Sequence, residues 1–159
     1  MSDVVVSILM GSKSDLPAMQ GAIDMLSEFG VPHEAKVLSA HRAPDAMIAY
    51  VRGAEARGVQ MVIAGAGLAA HLPGMVAAVT TIPVLGVPMK TTALGGMDSL
   101  LSIVQMPPGV PVATFAIGGG GAKNAALYAV QILALHDEDM KQKIRAYRAK
   151  RAEAAQQDL

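Results

Sequence analysis

The chain has 159 residues, which suits one domain with a real hydrophobic core and is too short for two ordinary domains joined by a linker. Thirteen basic and thirteen acidic residues give a formal net charge of zero, so nothing indicates a nucleic acid or an anionic membrane as partner, and a small molecule is the expected ligand. The chain has no cysteine, which excludes disulfides, thiolate nucleophiles and thiolate metal ligands.

The beginning of the chain predicts a buried strand followed by a helix. Residues 4–10 form an apolar run with three consecutive valines that ends at a glycine, as expected for a strand buried on both faces of a parallel sheet. The helix that follows has Ser14 or Asp15 as its predicted N-cap, Pro17 in its first turn and Gly30 after its end.

The same alternation of strand and helix continues along the chain. Strands are predicted at residues 33–38, 60–64, 83–87 and 110–115, and helices at residues 44–57, 72–79, 97–104, 122–135 and about 137–155. The four glycines at 118–121 predict a turn that brings the next helix back onto the sheet.

Strands that alternate with helices imply βαβ units with right-handed crossovers, and hence a parallel sheet covered by helices on both faces. We therefore predict one domain over residues 1–159 with a flavodoxin-like α/β fold. This is a three-layer sandwich around a doubly wound parallel sheet, with a C-terminal helical extension. The narrow apolar stripe of the last helix is expected to dock on its own domain or, preferably, on a neighbouring subunit.

Ligands of such sheets bind beyond the carboxyl ends of the strands, near the point where the strand order reverses. Three loops are therefore candidates for the functional site, at residues 11–15, 39–45 and 65–74. The first joins a buried strand to a helix N-terminus, where free N–H groups and the hydroxyls of Ser12 and Ser14 suit an anion such as phosphate. A plain N-cap explains the same residues.

The other two loops carry histidines. His41 lies beside Arg42, whose guanidinium suits phosphate or carboxylate recognition and is almost never buried unpaired, so this pair indicates a ligand site more than packing. Small residues around Gly67 let the backbone approach a ligand closely, and His71 in the same loop either binds that ligand or braces the loop. Two histidines on separate loops do not supply the three or four ligands of a metal site, so none is predicted.

The composition also predicts self-association. Apolar residues make up 52% of the chain and aromatic residues 3%, yet no apolar run reaches the roughly eighteen residues of a membrane span. So much apolar surface on a small domain favours burial between subunits. The first residues lack the basic and apolar regions of a signal peptide, so we expect a cytoplasmic protein with no membrane partner.

With these loops identified, the chain resembles the class I N5-carboxyaminoimidazole ribonucleotide mutases of bacterial purine synthesis over about residues 4–136. Three motifs carry the resemblance: Met-Gly-Ser-Lys-Ser-Asp at 10–15, Ser-Ala-His-Arg-Ala-Pro-Asp at 39–45, and Ala-Ala-His-Leu-Pro-Gly-Met at 69–75. Gly-Val-Pro at 86–88 and Asp-Ser-Leu-Leu-Ser-Ile-Val-Gln-Met-Pro at 98–107 complete the pattern. The chain departs from it at Leu16, Ala43 and Leu68, where the family commonly has Trp, Thr and Gly.

The resemblance implies a role for each loop. His41 would be the general acid and base, and His71 would line the pocket around the migrating carboxylate. The ribonucleotide would be bound by residues that match the family's substrate contacts: Ser12, Ser14, Asp15, Ser39, Arg42, Gly67, Ala70 and Leu72. Asp15 would contact ribose hydroxyls, while Ser14, Ser39 and Arg42 would hold the phosphate. No cofactor is implied, and family members assemble as octamers with active sites where subunits meet.

The implied reaction moves a carboxyl group within one molecule by decarboxylation and recarboxylation. Such a reaction needs one shuttling proton, which a single imidazole can supply near neutral pH. Two alternatives remain open. A class II enzyme of the same fold would carboxylate aminoimidazole ribonucleotide with free carbon dioxide, although the Ala-Ala-His-Leu-Pro-Gly segment favours class I. A non-catalytic flavodoxin-like module would bind flavin or nucleotide, although the chain has no Trp and few other aromatic residues to stack on a flavin.

Overall fold

A five-stranded parallel sheet forms the centre of the computed structural model, which describes residues 4–156. The strands are β1 (Val6–Met10), β2 (His33–Val37), β3 (Met61–Ala66), β4 (Val84–Pro88) and β5 (Ala113–Thr114). Their order in the sheet is β2-β1-β3-β4-β5, and each neighbouring pair is parallel. This is the flavodoxin-like strand order, and it confirms the predicted fold class.

Six α-helices of the described residues cover the sheet: α1 (Leu16–Glu28), α2 (Pro44–Arg52), α3 (Leu72–Ala77), α4 (Met97–Val104), α5 (Gly119–Leu133) and α6 (Glu138–Ala154). On one face α1 and α5 form a core around Met19, Leu26 and the buried alanines of α5. On the other face α2, α3 and α4 form a second core that includes Met47 and Ile103. A helix layer on each side of the sheet is the predicted three-layer sandwich.

The inner strands match their sequences. Every residue of β1, β3 and β4 is buried, as their continuous apolar runs predict for strands covered on both faces. In contrast β2 is partly exposed, because it lies at the edge of the sheet and pairs only with β1, and its sequence His-Glu-Ala-Lys-Val contains three polar residues.

Three predicted elements differ from the structure by three residues or more at one end, and the others by at most two. The helix predicted at 44–57 ends at Arg52, because Gly53 closes it, and a separate 3-10 turn spans Glu55–Arg57. The strand predicted at 110–115 is reduced to Ala113–Thr114, since the preceding Pro111 has no N–H to donate to the ladder.

The helix predicted at 122–135 begins earlier, at Gly119, so the glycine run is mostly part of α5 rather than a separate turn. Among the four glycines of this run, Gly118 alone has a left-handed backbone, with φ of 79°. Gly121 is required by packing, because an added Cβ would lie 1.6 Å from the carbonyl oxygen of Ala116. The glycines therefore let the first turn of α5 pass close to the chain that leaves β5.

The last helix, α6, docks on its own domain through the predicted stripe. Asp137 caps its first turn by accepting a hydrogen bond from the Met140 N–H at 2.9 Å. Ile144 is buried, and the ring of Tyr147 lies 5.6 Å from that of Phe29. Docking of the remaining surface of α6 on a neighbouring subunit stays a prediction. None of the helices in residues 4–156 has the length and apolar character needed to cross a bilayer.

Candidate active site

The predicted loops converge on one cavity at the carboxyl edge of the sheet. It has a volume of about 760 Å³ and is lined by Gly11, Ser12, Ser14 and Asp15, by residues 39–42, by residues 66–69 with His71 and Leu72, and by residues 89–93. The lining therefore comes from the loops after β1, β2, β3 and β4. The fourth loop was not predicted from the sequence, although the rule that pointed to the other three applies equally to the end of β4.

The loop after β1 is held by reciprocal hydrogen bonds. The Ser12 N–H donates to Asp15 Oδ2 at 3.0 Å, and the Ser12 hydroxyl accepts from the Ser14 N–H at 3.3 Å and from the Ser14 hydroxyl at 2.9 Å. Ser12 caps a 3-10 turn at Lys13–Asp15, whereas Asp15 is the N-cap of α1 by position, as predicted, although its side chain makes no cap hydrogen bond to that helix. The capping side chains also lie on the cavity wall, so the structural and the ligand-binding interpretations are compatible.

The carboxyl group of Asp15 has a perturbed pKa. Burial raises the pKa of Asp15 above its ordinary value, while the N–H groups of Ser12 and Gly11 and the charge of Arg42 oppose this shift. The raised pKa indicates that these hydrogen bonds and the charge of Arg42 only partly offset the cost of burying the carboxylate in the cavity wall. Such groups are common at functional sites, because their position serves a ligand rather than the stability of the fold.

Arg42 connects the ends of β1 and β2. Its Nε donates to the Ser39 hydroxyl at 3.1 Å, and its Nη2 donates to the Gly11 carbonyl at 3.1 Å. The Arg42 backbone N–H also donates to the Ser39 hydroxyl, at 3.2 Å. Because a guanidinium has five N–H donors, the remaining donors of this fixed cation are available to a phosphate or carboxylate in the cavity.

His41 and His71 form a direct pair. Their Nε2 and Nδ1 atoms are 2.6 Å apart, and the rings are edge to face, with centroids 4.7 Å apart. One imidazole donates the bridging hydrogen and the other accepts it. The sequence placed these two residues in one pocket but did not predict this contact, because they are separated by 30 positions in the chain. The pair combines a proton source and a proton acceptor at the cavity surface.

The loop after β3 presents small residues and backbone to the cavity. Within β3 an added Cβ at Gly65 would lie 2.5 Å from Met19 Sδ in the core, and on the cavity wall one at Gly67 would lie 3.2 Å from Met89 Cβ, so a larger residue at either position would require its neighbour to move. Gly67 and Leu72 are on the cavity wall, but the Leu72 side chain is buried and would meet a ligand through its backbone. Ala70 is also buried and is not on the wall, so its contact with substrate stays a prediction.

Leu68 has a backbone that suits glycine. Its φ of 60° makes it the one non-glycine residue of the described chain with a left-handed backbone. The side chain is 64% exposed at the rim of the cavity. Glycine would adopt this conformation without a steric cost, so the geometry of this position favours Gly over Leu.

The residues 4–156 contain no cluster of three or more His, Asp or Glu side chains suited to a metal ion. The site is therefore composed of hydroxyls, one carboxylate, two imidazoles and two cations, Arg42 and Lys90. Such a set can bind an anionic small molecule and transfer protons within it.

Comparisons with known proteins agree with this geometry. The profile of the AIR carboxylase family matches residues 5–154 of the chain. The N5-carboxyaminoimidazole ribonucleotide mutase of Vibrio parahaemolyticus is 57% identical over 148 residues, covering 93% of this chain and 92% of the relative. The enzyme of that name from Bacillus subtilis is 60% identical over 140 residues, covering 88% of this chain and 86% of the relative.

The solved structures show the same fold. The crystal structure of Treponema denticola PurE superposes with a TM-score of 0.85 at 28% identity, covering 94% of this chain and 92% of that one. The match therefore extends over most of the chain. On the evidence of the family profile, the curated relatives and this fold, the chain belongs to the AIR carboxylase family.

Proposed function

We propose that this protein converts N5-carboxyaminoimidazole ribonucleotide to 4-carboxy-5-aminoimidazole ribonucleotide in purine biosynthesis. Curated relatives that are 54–60% identical carry the name of this mutase. The observation that carries the proposal is the His41–His71 pair, which lies in one cavity with the hydroxyl and guanidinium groups that suit a ribonucleotide. The reaction requires both features, because it needs a bound nucleotide and one mobile proton.

Substrate binding is assigned to the loops after β1 and β2. The donors of Arg42 and the hydroxyls of Ser14 and Ser39 would hold the phosphate, as charge-assisted and neutral hydrogen bonds respectively. The Asp15 carboxylate accepts from the Ser12 N–H and retains lone pairs for the ribose hydroxyls. These contacts would be made equally by substrate and product, so they contribute to binding more than to turnover.

The proton transfers are assigned to His41. The bond between the exocyclic nitrogen and its carboxyl group breaks, carbon dioxide leaves, and protonated His41 gives a proton to that nitrogen. The ring C4 then attacks the trapped carbon dioxide to form a carbon–carbon bond, and His41 removes the C4 proton. The imidazole ends in its starting protonation state, so one group serves as general acid and then as general base.

We assign two roles to His71. It orients the imidazole of His41, and it forms part of the wall around the carboxyl group. Its Nδ1 lies 2.6 Å from His41 Nε2, and this contact holds the His41 ring in place at the cavity. The small residues Ala66, Gly67 and Ala69 lie on the cavity wall beside His71, and the close approach of Met89 to Gly67 makes this wall tight. A dry wall would keep carbon dioxide near C4 between the two half-reactions.

We also propose that the protein works in the cytoplasm as a homo-oligomer, an octamer by its resemblance to family members. The support is an exposed apolar face on α4. Met97, Leu101 and Val104 recur at helical spacing and are 53%, 50% and 47% exposed. The face adjoins the cavity rim, since the Ser102 hydroxyl lies 3.5 Å from the Leu68 carbonyl oxygen. Second copies of the chain would cover this face and complete the site.

The test is an assay of purified protein with two alternative substrates. We expect conversion of the carbamate ribonucleotide without added bicarbonate, and no carboxylation of aminoimidazole ribonucleotide at an ordinary bicarbonate concentration. Carboxylation of aminoimidazole ribonucleotide alone would establish the class II activity instead. Binding of a nucleotide with no conversion of either compound would indicate the non-catalytic module.

A further inference from the structure

We propose that Lys90 binds the carboxyl group that migrates in the reaction, and so determines that the site takes a carboxylated ribonucleotide. The inference rests on the proposed function. It assigns a role to the loop after β4, which the sequence motifs did not include and which lines the same cavity as the histidine pair.

The first observation is the charge inventory of the cavity. The titratable side chains on its wall are Asp15, His41, Arg42, His71 and Lys90. A carboxylated ribonucleotide carries two anionic groups, a phosphate and a carboxylate, and the wall has two permanent cations. Because Arg42 is anchored to the loops after β1 and β2, it matches the phosphate, and Lys90 remains for the carboxylate.

The second observation is that Lys90 is unpaired. Within residues 4–156 its ammonium group has no hydrogen-bond or ion-pair partner, and it is exposed to the cavity. Arg42, by contrast, already donates to Ser39 and to the Gly11 carbonyl. All three ammonium donors of Lys90 are therefore available to an anionic ligand.

The third observation is that the residues on both sides of Lys90 are anchored, Met89 through its backbone and Thr91 through its side chain. The Met89 N–H donates to the Ala66 carbonyl at 2.9 Å, which ties the loop to the end of β3. The Thr91 hydroxyl donates to Asp98 Oδ1 at 2.7 Å and accepts from the Gly96 N–H at 3.1 Å. These contacts hold the Cα of Lys90 in place at the cavity while its side chain stays free to move.

The positions of Arg42 and Lys90 along the edge of the sheet suit the ligand. The Arg42 guanidinium contacts Gly11, which follows β1, whereas Lys90 follows β4, two strands further along the sheet. Two strand spacings correspond to about 10 Å, the scale of a ribose with one five-membered ring. His71, which follows β3, lies between them in the strand order, so the reacting atoms would be placed at the histidine pair.

The flexible stem of lysine suits a carboxyl group that changes its attachment. The group leaves the exocyclic nitrogen and becomes bound to the adjacent C4, a displacement that a four-carbon side chain can follow without movement of the backbone. Since Lys90 would contact the carboxylate of substrate and product alike, its loss should weaken binding of both and reduce turnover of the saturated enzyme much less.

The experiment compares two ligands in the full-length protein. Binding of 4-carboxy-5-aminoimidazole ribonucleotide and of aminoimidazole ribonucleotide, which lacks the carboxyl group, is measured by calorimetry for the wild type, Lys90→Gln and Lys90→Arg. Lys143→Gln, an exposed α6 position, is the matched charge control. We expect Lys90→Gln to lower the affinity for the carboxylated ligand about tenfold. This is at the lower end of the effect of a charge-assisted hydrogen bond, because the ammonium is exposed.

The same variant should bind aminoimidazole ribonucleotide like the wild type, and Lys90→Arg should recover part of the lost affinity. An equal loss of affinity for both ligands would indicate a general electrostatic effect and would overturn the assignment. Unchanged affinity for both ligands would overturn it as well. The binding readout does not depend on activity. If the wild type fails to convert the carbamate ribonucleotide, the proposed function is wrong, while the difference between the two ligands still decides the role of Lys90.

Discussion

The Nε2 atom of His41 lies 2.6 Å from the Nδ1 atom of His71, so the two imidazoles share one hydrogen. One ring donates this hydrogen and the other accepts it, so replacing either residue leaves its partner without the contact. This relationship makes the two residues separable only by their effects on turnover and binding.

Replacing His41 with Asn should abolish most of the turnover and retain binding. Asn keeps approximate size and some hydrogen bonding, but it cannot change protonation near neutral pH. We expect turnover to fall by about 10² to 10⁴, the usual range for a lost general acid or base. Steady-state kinetics and calorimetry with the product measure the two quantities separately.

The matched variant is His71→Asn, which removes the orienting partner and leaves the proton shuttle in place. It should reduce turnover less than His41→Asn does. Near-normal turnover in His41→Asn together with collapse in His71→Asn would reverse the two roles.

Replacing Arg42 or Ser12 with Ala should mainly weaken ribonucleotide binding. Each change removes contacts that substrate and transition state share, and loss of the charge-assisted contact of Arg42 should cost about 1.5–3 kcal/mol. KM should rise with a smaller change in kcat. Arg52→Ala, which changes a charge away from the cavity, is the control and should bind like the wild type. Unchanged affinity in both site variants would refute the assignment of the binding loops.

Asp15 should make the folded protein less stable as pH rises. Burial raises the folded-state pKa of Asp15 above the ordinary 3.8, so the unfolded chain loses this proton first and unfolding becomes easier between 3.8 and the raised pKa. The Asp15→Asn variant has no titratable group at this position, so its free energy of unfolding should fall less across that window. It should also lose the proposed contacts with the ribose hydroxyls. Thermal unfolding from pH 3.5 to 7 tests the sign, and a wild-type protein that gains stability relative to the variant over this range would contradict it.

Replacing Leu68 with Gly should stabilise the subunit fold. The left-handed backbone at Leu68 costs about 1–2 kcal/mol, whereas glycine loses about 0.5–1 kcal/mol of unfolded-state entropy. The net gain should be about 0.5–1 kcal/mol, seen as a rise in Tm of about 1–4 °C. Leu68→Ala keeps the backbone cost and should show no such rise. A lower Tm in both variants would show that the exposed side chain contributes to stability through contacts with another subunit.

The α4 face should be required for association. Leu101→Glu places a charge at the centre of the exposed apolar stripe, where burial against another copy would be costly. We expect light scattering to show a smaller assembly than that of the wild type, while circular dichroism remains that of a folded α/β domain. An unchanged assembly would place the interface elsewhere, and a wild-type monomer would refute the predicted oligomer altogether.

Local patterns in the sequence determined the fold class. The apolar runs of β1, β3 and β4 are typical of strands buried on both faces, and the alternation with helices implies parallel pairing. The loops after β1, β2 and β3 could be identified because ligands of such sheets bind beyond the carboxyl ends of the strands. The apolar stripe of α6, with Ile144 at its centre, could also be predicted, since helical periodicity is a local property.

Only the tertiary structure decided which of these groups touch. The contact between His41 and His71 depends on the placement of two loops 30 positions apart, which no local pattern encodes. The loop that contains Lys90 joins the site because β4 lies beside β3, and the left-handed backbone of Leu68 follows from the path of the chain around the cavity. Periodicity and capping act over a few residues, whereas the geometry of a site arises from the packing of distant segments, and this is why the chemistry of the residues was predictable and their contacts were not.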